Sequence, residues 1–249
     1  MSNYNPIHVL NKSLALLQIE GGFRTSTDSV LLGAACPIKA GQHVLDLGCG
    51  VGSAGLCVLK RVAYTNLTGL DIQADHIAIA SQNAALNTMS GRASFHCGDV
   101  RDTHDIGMFD HVICNPPYKE SGAHIPSPSN KKALAMGHQE EDLSLQDWIT
   151  CAWTHIKGQG SLCMIHEATK TDEIIHNLYS LKGGRRFGNI EIFPIFSKKG
   201  DEANRVVIRA WKHKKAGSKI YSGIIMHDAE GAYTKEAEDI LRHSASLIE

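Results

Sequence analysis

The sequence predicts an α/β fold: a mostly parallel sheet with helices on both faces and an antiparallel hairpin near the C-terminus. Three observations carry this. Short apolar stretches alternate with longer amphipathic ones from residue 43 onward, a glycine-rich turn joins the first strand to its helix, and two β-branched, aromatic segments flank the turn-like SKKGDEA at 197–203. In order, HVLDLG from His43 is the first strand, followed by a helix at 53–62. LTGLD from Leu67 is the second, with a helix at 73–87. ASFHC from Ala93 and HVIC from His111 are the third and fourth. A Pro/Ser/Gly-rich loop at 119–142, either a lid or a mobile connection, precedes a helix near 143–157, the strand SLCMIH and a helix near 171–181. The strands NIEIFPIF and NRVVIRAW then close the sheet as a hairpin at its edge. Residues 1–40 read as an N-terminal extension with a helix near 29–36 packed over the sheet. Residues 41–216 form the main unit, and 217–249 a tail of irregular strand or loop with a last helix at 234–247, within one structural domain overall.

With 249 residues and 43% hydrophobic content the chain can bury a sizeable core. Its 25 basic and 26 acidic residues give a net charge of -1, which excludes a highly charged disordered chain and a uniformly basic coat protein. No cationic start precedes an apolar run, and the longest apolar stretch, VLLGAACPI from Val30, is too short to span a bilayer. A soluble, cytoplasmic protein is expected. Seven cysteines are scattered without a CxxC pair, and fourteen histidines form no HExxH or HxH, so reduced, mostly buried thiols and no metal site are expected.

Charge is unevenly distributed. Between Lys182 and Lys219 eleven Lys or Arg face three acids, a local +8, leaving 14 basic and 23 acidic residues elsewhere. Lys182, Arg185 and Arg186, with Lys198 and Lys199 at the hairpin tip, are the sharper part of a candidate footprint for a polyanion. A solvated edge with no ligand is the competing reading.

DLGCGVG, Asp46 to Gly52, ends a strand and opens a helix, so its glycines let the backbone turn tightly and approach a ligand. A dinucleotide fingerprint starting at Gly48 would need glycine at 53, where Ser53 stands. Asp46 would also repel a pyrophosphate, whereas it would attract an ammonium group. The second strand ends at Asp71, a carboxylate able to accept both ribose hydroxyls of a nucleoside or to cap the next helix. The third ends in CGDV, where Asp99 can accept from an adenine amino group or serve the turn.

Asn115-Pro116-Pro117-Tyr118 directly succeeds the fourth strand. Two prolines remove two N–H donors and hold the backbone extended, leaving carbonyls to face the crevice. Asn115 adds a side-chain carbonyl, and Tyr118 a flat ring for stacking on a base.

These residues resemble the class I S-adenosylmethionine-dependent methyltransferases, in the subgroup whose NPPY signature serves transfer to a planar amide or amino nitrogen. Within it the chain is similar to the bacterial tRNA(adenine-N6)-methyltransferases that modify the adenine immediately 3′ of the anticodon in a valine tRNA. GFRTSTDSVLL at 22–32, the glycine loop, NPPY, ANRVVIRAWK and EGAYTKEAEDIL carry the likeness over nearly the whole chain. The resemblance implies a seven-stranded Rossmann-like sheet and S-adenosyl-L-methionine as cofactor, with S-adenosyl-L-homocysteine as product. It implies Asp46, Gly48 and Gly50 at the methionine portion, Asp71 with Ile72 at the ribose, and Asp99 with the Val100 backbone at the adenine. Arg24, Thr25, Ser26 and Asp28 would close the methionine end or border the target pocket. Asn115 would stand between cofactor and target. Residues 119–142 carry no motif that matches.

The function expected is methyl transfer to the exocyclic N6 of an adenine in RNA. Asn115 and Pro116 would accept the two amino hydrogens, Pro117 would hold the backbone extended, and Tyr118 would stack on the flipped base. The expected partner is a tRNA or other structured RNA, with no membrane and no metal, and a monomer is the default. Methylation of a protein glutamine at N5 presents the same planar NH2 and stays open as the alternative. A DNA adenine is disfavoured for want of a recognition domain, and a non-catalytic S-adenosylmethionine- or RNA-binding module has no need of the NPPY acceptors.

Overall fold

A computed structural model describes residues 6–18, 25–103, 106–118 and 143–247. Eleven strands and six α-helices are defined among them. In chain order they are β1 (Ile7–Val9), β2 (Leu14–Leu16), α1 (Thr27–Ala35), β3 (His43–Leu47), α2 (Ser53–Arg61), β4 (Asn66–Asp71), α3 (Ala74–Leu86), β5 (Ala93–Cys97) and β6 (Phe109–Cys114). Then come α4 (Leu145–His155), β7 (Ile156–Glu167), α5 (Thr171–Tyr179), β8 (Phe187–Lys198), β9 (Ala203–Lys212), β10 (Ser218–Ile220), β11 (Ile224–His227) and α6 (Lys235–His243).

Strands β5, β4, β3, β6 and β7 run parallel in that spatial order, and β9 and β8 continue the sheet antiparallel. These are the seven strands of the expected fold. Along them alternate side chains point to opposite faces. Val44, Ile113, Cys163, Ile165 and Val207 join α1, α2 and α6 in one apolar cluster. Leu45, Leu47, Val112, Cys114, Leu162, Met164 and Ile208 join α4 and α5 in the other. The start of α4 is fixed by a capping box, in which Ser144 Oγ accepts from Asp147 N while the Asp147 carboxylate accepts from Ser144 N.

Contrary to the expectation from sequence, the β8–β9 hairpin does not form the edge of the sheet, because the tail returns along β8 and adds β10 and β11 in parallel, making nine strands. Its passage depends on glycine: a Cβ on Gly188 would stand 2.3 Å from the Lys214 carbonyl, and one on Gly223 2.3 Å from that of Pro194. Ile192 O accepts from Tyr221 N on the tail side, so Pro194, two residues on, turns its missing N–H to the same side. Pairing breaks there, and the tail forms two short strands instead of one.

The N-terminal extension contains, besides α1, the hairpin β1–β2. Asn83 and Asn87 of α3 hold it with their amides. Leu17 N donates to Asn83 Oδ1 at 2.7 Å, Ala15 N to Asn87 Oδ1 at 3.0 Å, and both amide nitrogens return bonds to the same backbone. The hairpin is thereby docked beside the glycine turn, since Asn83 Nδ2 also donates to Val51 O at 2.9 Å.

Candidate active site

The parallel strands end in register. Leu47 pairs with Leu70 and Cys114, Asp71 with Cys97, and Cys114 with Met164. The segments that leave the strand ends therefore line one crevice at the carboxyl edge of the sheet, where open α/β folds bind ligands.

The glycine turn forms the floor. Gly48, Gly50 and Gly52 have φ of +67°, +52° and +83°, a region that favours glycine. Gly48 N and Cys49 N both donate to Leu70 O, at 2.8 and 3.0 Å. Trp148 closes over Gly48 so tightly that a Cβ there would lie 2.6 Å from the indole. Asp46 lies beneath the turn, buried, with Oδ2 accepting from Gly55 N at 2.9 Å. It thus serves a first-turn amide of α2, whose N-cap Gly52 has no side chain to do so. Burial pushes its carboxyl up to about 7, against the Gly55 bond and with help from the charge of Asp71.

Asp71 serves the backbone on two sides. Oδ1 accepts from Gln73 N at 2.9 Å, opening α3, and Oδ2 accepts from Gly50 N at 2.8 Å, tying the turn to β4. Each carboxylate oxygen keeps a second lone pair. His76 Nδ1 lies 3.4 Å from Oδ1. Ile72 is half-buried beside it. Asp99 grips Arg101 of its own turn with both oxygens, Arg101 Nη2 at 2.6 Å, and accepts from Arg101 N at 2.8 Å, while Val100 packs into the core.

Asn115, Pro116, Pro117 and Tyr118 come directly after β6. The Asn115 side-chain oxygen is buried and has no hydrogen-bond partner among the described residues. A buried acceptor left so costs ~1–3 kcal/mol. Tyr118 is held on three sides. Its hydroxyl donates to Asp28 Oδ2 at 2.8 Å, the Arg205 guanidinium lies 4.6 Å from its ring centroid, and the His166 ring meets it at 4.9 Å and 62°. Burial, then the Asp28 charge and hydrogen bond, hold the phenol well above its ordinary range, so it stays protonated. His166, at the end of β7, is buried, with Nδ1 unpartnered among the described residues; burial lowers its pKa and keeps the ring neutral.

The segment leading into α1, with the first turn of that helix, reaches both sides of the crevice. Thr25 Oγ1 meets Ser53 Oγ at 2.6 Å beside the glycine turn, and Asp28 meets Tyr118 at the target motif. Ser26, the N-cap of α1, makes no side-chain cap bond, and its buried Oγ has no partner among the described residues. Arg24 lies outside the described residues, as does the loop 119–142.

The five basic residues assigned to a polyanion are not one patch. Lys198 and Lys199 sit at the crevice end of β8, where Phe196 pairs with Ala203. Lys182, Arg185 and Arg186 precede Phe187 at the other end, and β8 has 12 residues, so the clusters stand roughly 35 Å apart at ~3.3 Å per residue. All five are exposed. Within the +8 run some charges are structural: Arg209 pairs with Glu191 in the core, and Lys212 Nζ donates to Trp153 O and Ile156 O, both at 2.7 Å.

Sequence reasoning misses Arg205 and His166. ANRVVIRAWK marks β9 but not that Arg205, paired with Glu167, lies near its start at the crevice end. SLCMIH places His166 at a strand terminus, the same signal that draws attention to Asp71 and Asp99.

Among the described residues no group of three or more His, Cys, Asp or Glu is arranged to hold a metal, and no helix is long and apolar enough to cross a membrane. Six of the seven cysteines are buried thiols, Cys97 being exposed.

The methyltransferase small domain model matches residues 25–130. A tRNA1(Val) (adenine(37)-N6)-methyltransferase of Shewanella sp. (strain W3-18-1) is 29% identical over 221 residues, 86% of this chain and 88% of that one. The protein of the same name from Vibrio campbellii is 40% identical over 103 residues, 41% of this chain and 43% of its own. Among solved structures, a predicted O-methyltransferase of Agrobacterium tumefaciens superposes with a TM-score of 0.69 at 26% identity, over 86% of this chain and 94% of that one. With the glycine turn, the strand-end acids and the order of the seven strands, these likenesses are mutually consistent: the chain has the class I methyltransferase fold and is similar to S-adenosylmethionine-dependent methyltransferases.

Proposed function

We propose that the chain methylates the exocyclic N6 of an adenine in RNA, in particular in a tRNA beside the anticodon. The observation that carries this is the buried, unpartnered Asn115 Oδ1 at the end of β6, in a tetrapeptide whose prolines have no N–H of their own to donate. The names of the full-length relatives support the choice of nucleic acid and atom.

The crevice fits the cofactor. The open lone pairs of Asp71 suit the ribose hydroxyls, and the glycine turn, with open space beside Gly50, suits close approach by the methionine portion. Thr25, Ser26 and Ser53 border that end. Asp99 and the Val100 backbone stand at the adenine end, Asp99 shared with Arg101. S-adenosylmethionine supplies an electrophilic methyl when bound.

An exocyclic amine is a poor nucleophile because its lone pair is delocalised into the ring. Asn115 Oδ1 and the Pro116 carbonyl accept its two hydrogens, which draws the nitrogen toward tetrahedral geometry and aims the lone pair across the crevice. Its proton becomes acidic only as the new bond forms, so no strong base is needed beforehand. His166, neutral beside Tyr118, and the protonated phenol are consistent with that economy of charge. Lys198 and Lys199 supply phosphate contacts near the target, and only a long polyanion would also reach Lys182, Arg185 and Arg186. A tRNA substrate supports a cytoplasmic activity.

The test is incubation with methyl-labelled S-adenosylmethionine and, separately, unmodified tRNA or total protein, followed by nucleoside analysis. Label in N6-methyladenosine is the expected result. Label in protein alone would replace this reading with N5-glutamine methylation.

A further inference from the structure

We infer that Asp28, on the first turn of α1, is a positioning residue that fixes the Tyr118 ring for the target base, acting through the phenol hydroxyl and Arg205. The inference rests on the proposed transfer to a planar amine.

One oxygen, Asp28 Oδ2, accepts both from Tyr118 Oη at 2.8 Å and from Arg205 Nε at 3.3 Å. Arg205 is in turn the group over the Tyr118 ring, at 4.6 Å, and its Nη1 donates to Asn204 O at 3.0 Å, which anchors it to the start of β9. Three elements distant in sequence, α1, the end of β6 and the start of β9, therefore meet on one carboxylate. Tyr118 otherwise stands at the end of a strand, after two prolines, where its ring would turn among rotamers. A flexible ring would give up the orientational advantage that a stacking platform beside Asn115 offers. The same short segment carries Thr25, whose hydroxyl meets Ser53 at 2.6 Å, so the group that pins the target motif sits three residues from one that touches the cofactor turn.

The substitutions that isolate this are Asp28→Asn, which keeps the volume and removes the charge, and Tyr118→Phe, which keeps the ring and removes the hydroxyl. The first readout needs no substrate. The chain has six tyrosines, so in fluorotyrosine-labelled protein the Tyr118→Phe spectrum assigns the Tyr118 fluorine line, and Asp28→Asn should shift or broaden that line. An unchanged line overturns the inference. The second readout is transfer to tRNA. Asp28→Asn and Tyr118→Phe should each lower kcat, by up to about 100-fold, with cofactor Kd within about twofold. The double variant should be no worse than Tyr118→Phe alone, because both remove one interaction. Losses that multiply, or a kcat unchanged in either single variant, would overturn it. Absence of transfer by the unaltered protein would instead refute the proposed function, and the fluorine spectrum would still decide whether Asp28 pins the ring.

Discussion

Replacing Asp71 by alanine removes the acceptor of two backbone donors, Gly50 N at 2.8 Å and Gln73 N at 2.9 Å, at a position only 8% exposed. A bond to a charged acceptor contributes ~1.5–3 kcal/mol. Because both donors lie near the crevice and regain some hydration, the net loss in folding stability should be about 2–4 kcal/mol. Asp71→Asn keeps the volume and one carbonyl oxygen, so one donor stays satisfied and the loss should be about half as large. Cofactor affinity separates the second role. Under the proposed function, the lone pairs left after the backbone has taken its share are those offered to the ribose, and losing a charged acceptor there should raise Kd by about 10–100-fold. The assay pairs urea unfolding with calorimetric titration of S-adenosylhomocysteine for both variants. An Asp71→Asn protein that binds within twofold of the original would show that the carboxylate serves only the turn, and the ribose assignment would be wrong.

The same geometry yields other outcomes. Gly48→Ala places a Cβ 2.6 Å from Trp148 at φ +67° and should cost about 2 kcal/mol or more; an unchanged urea midpoint would remove the indole from the account. The buried Asp46 carboxyl is raised to about 7 from an ordinary 3.8. Between those values the unfolded chain has released a proton that the folded chain retains, so stability falls as pH rises from about 4 toward 7. Asp46→Asn should therefore stabilise the ligand-free protein more at pH 8 than at pH 5, and an equal gain in melting temperature at both would contradict the shift. Reversing Lys198 and Lys199 should raise KM for any RNA substrate, whereas reversing Lys182, Arg185 and Arg186 should raise it for intact tRNA but not for an anticodon stem-loop. Equal effects on both RNAs would show that the separation of roughly 35 Å has no bearing on binding.

Much of the fold and site is legible in the sequence because periodicity and strand-end chemistry are local. The glycines of DLGCGVG and the prolines of NPPY dictate backbone behaviour wherever they stand, and the parallel register then gathers the turns after β3, β4 and β6 at one edge. The tail reads only as irregular strand or loop, because its pairing along β8 depends on Gly188, Gly223 and Pro194 acting across long sequence separations. The hairpin β1–β2 escapes a sequence reading for a similar reason: amides of Asn83 and Asn87 hold it, and asparagines on a helix carry no signal of what they will bind. Basic residues clustered in sequence suggest one patch, yet a single long strand carries them to opposite ends of the sheet. Asp28, Tyr118 and Arg205 show the limit most clearly, since no pattern in the chain predicts that residues 90 and 177 positions from Asp28 share its carboxylate oxygen.

The central claim is that Asn115 Oδ1 waits for an amino hydrogen of the target. The most direct measurement compares Asn115→Ala with the unaltered protein for the rate of N6-methyladenosine formation in tRNA and for S-adenosylhomocysteine affinity. A fall of about 100-fold or more in kcat with Kd within twofold is predicted. Full turnover in the variant, or a methylated product other than N6-methyladenosine, would contradict the account.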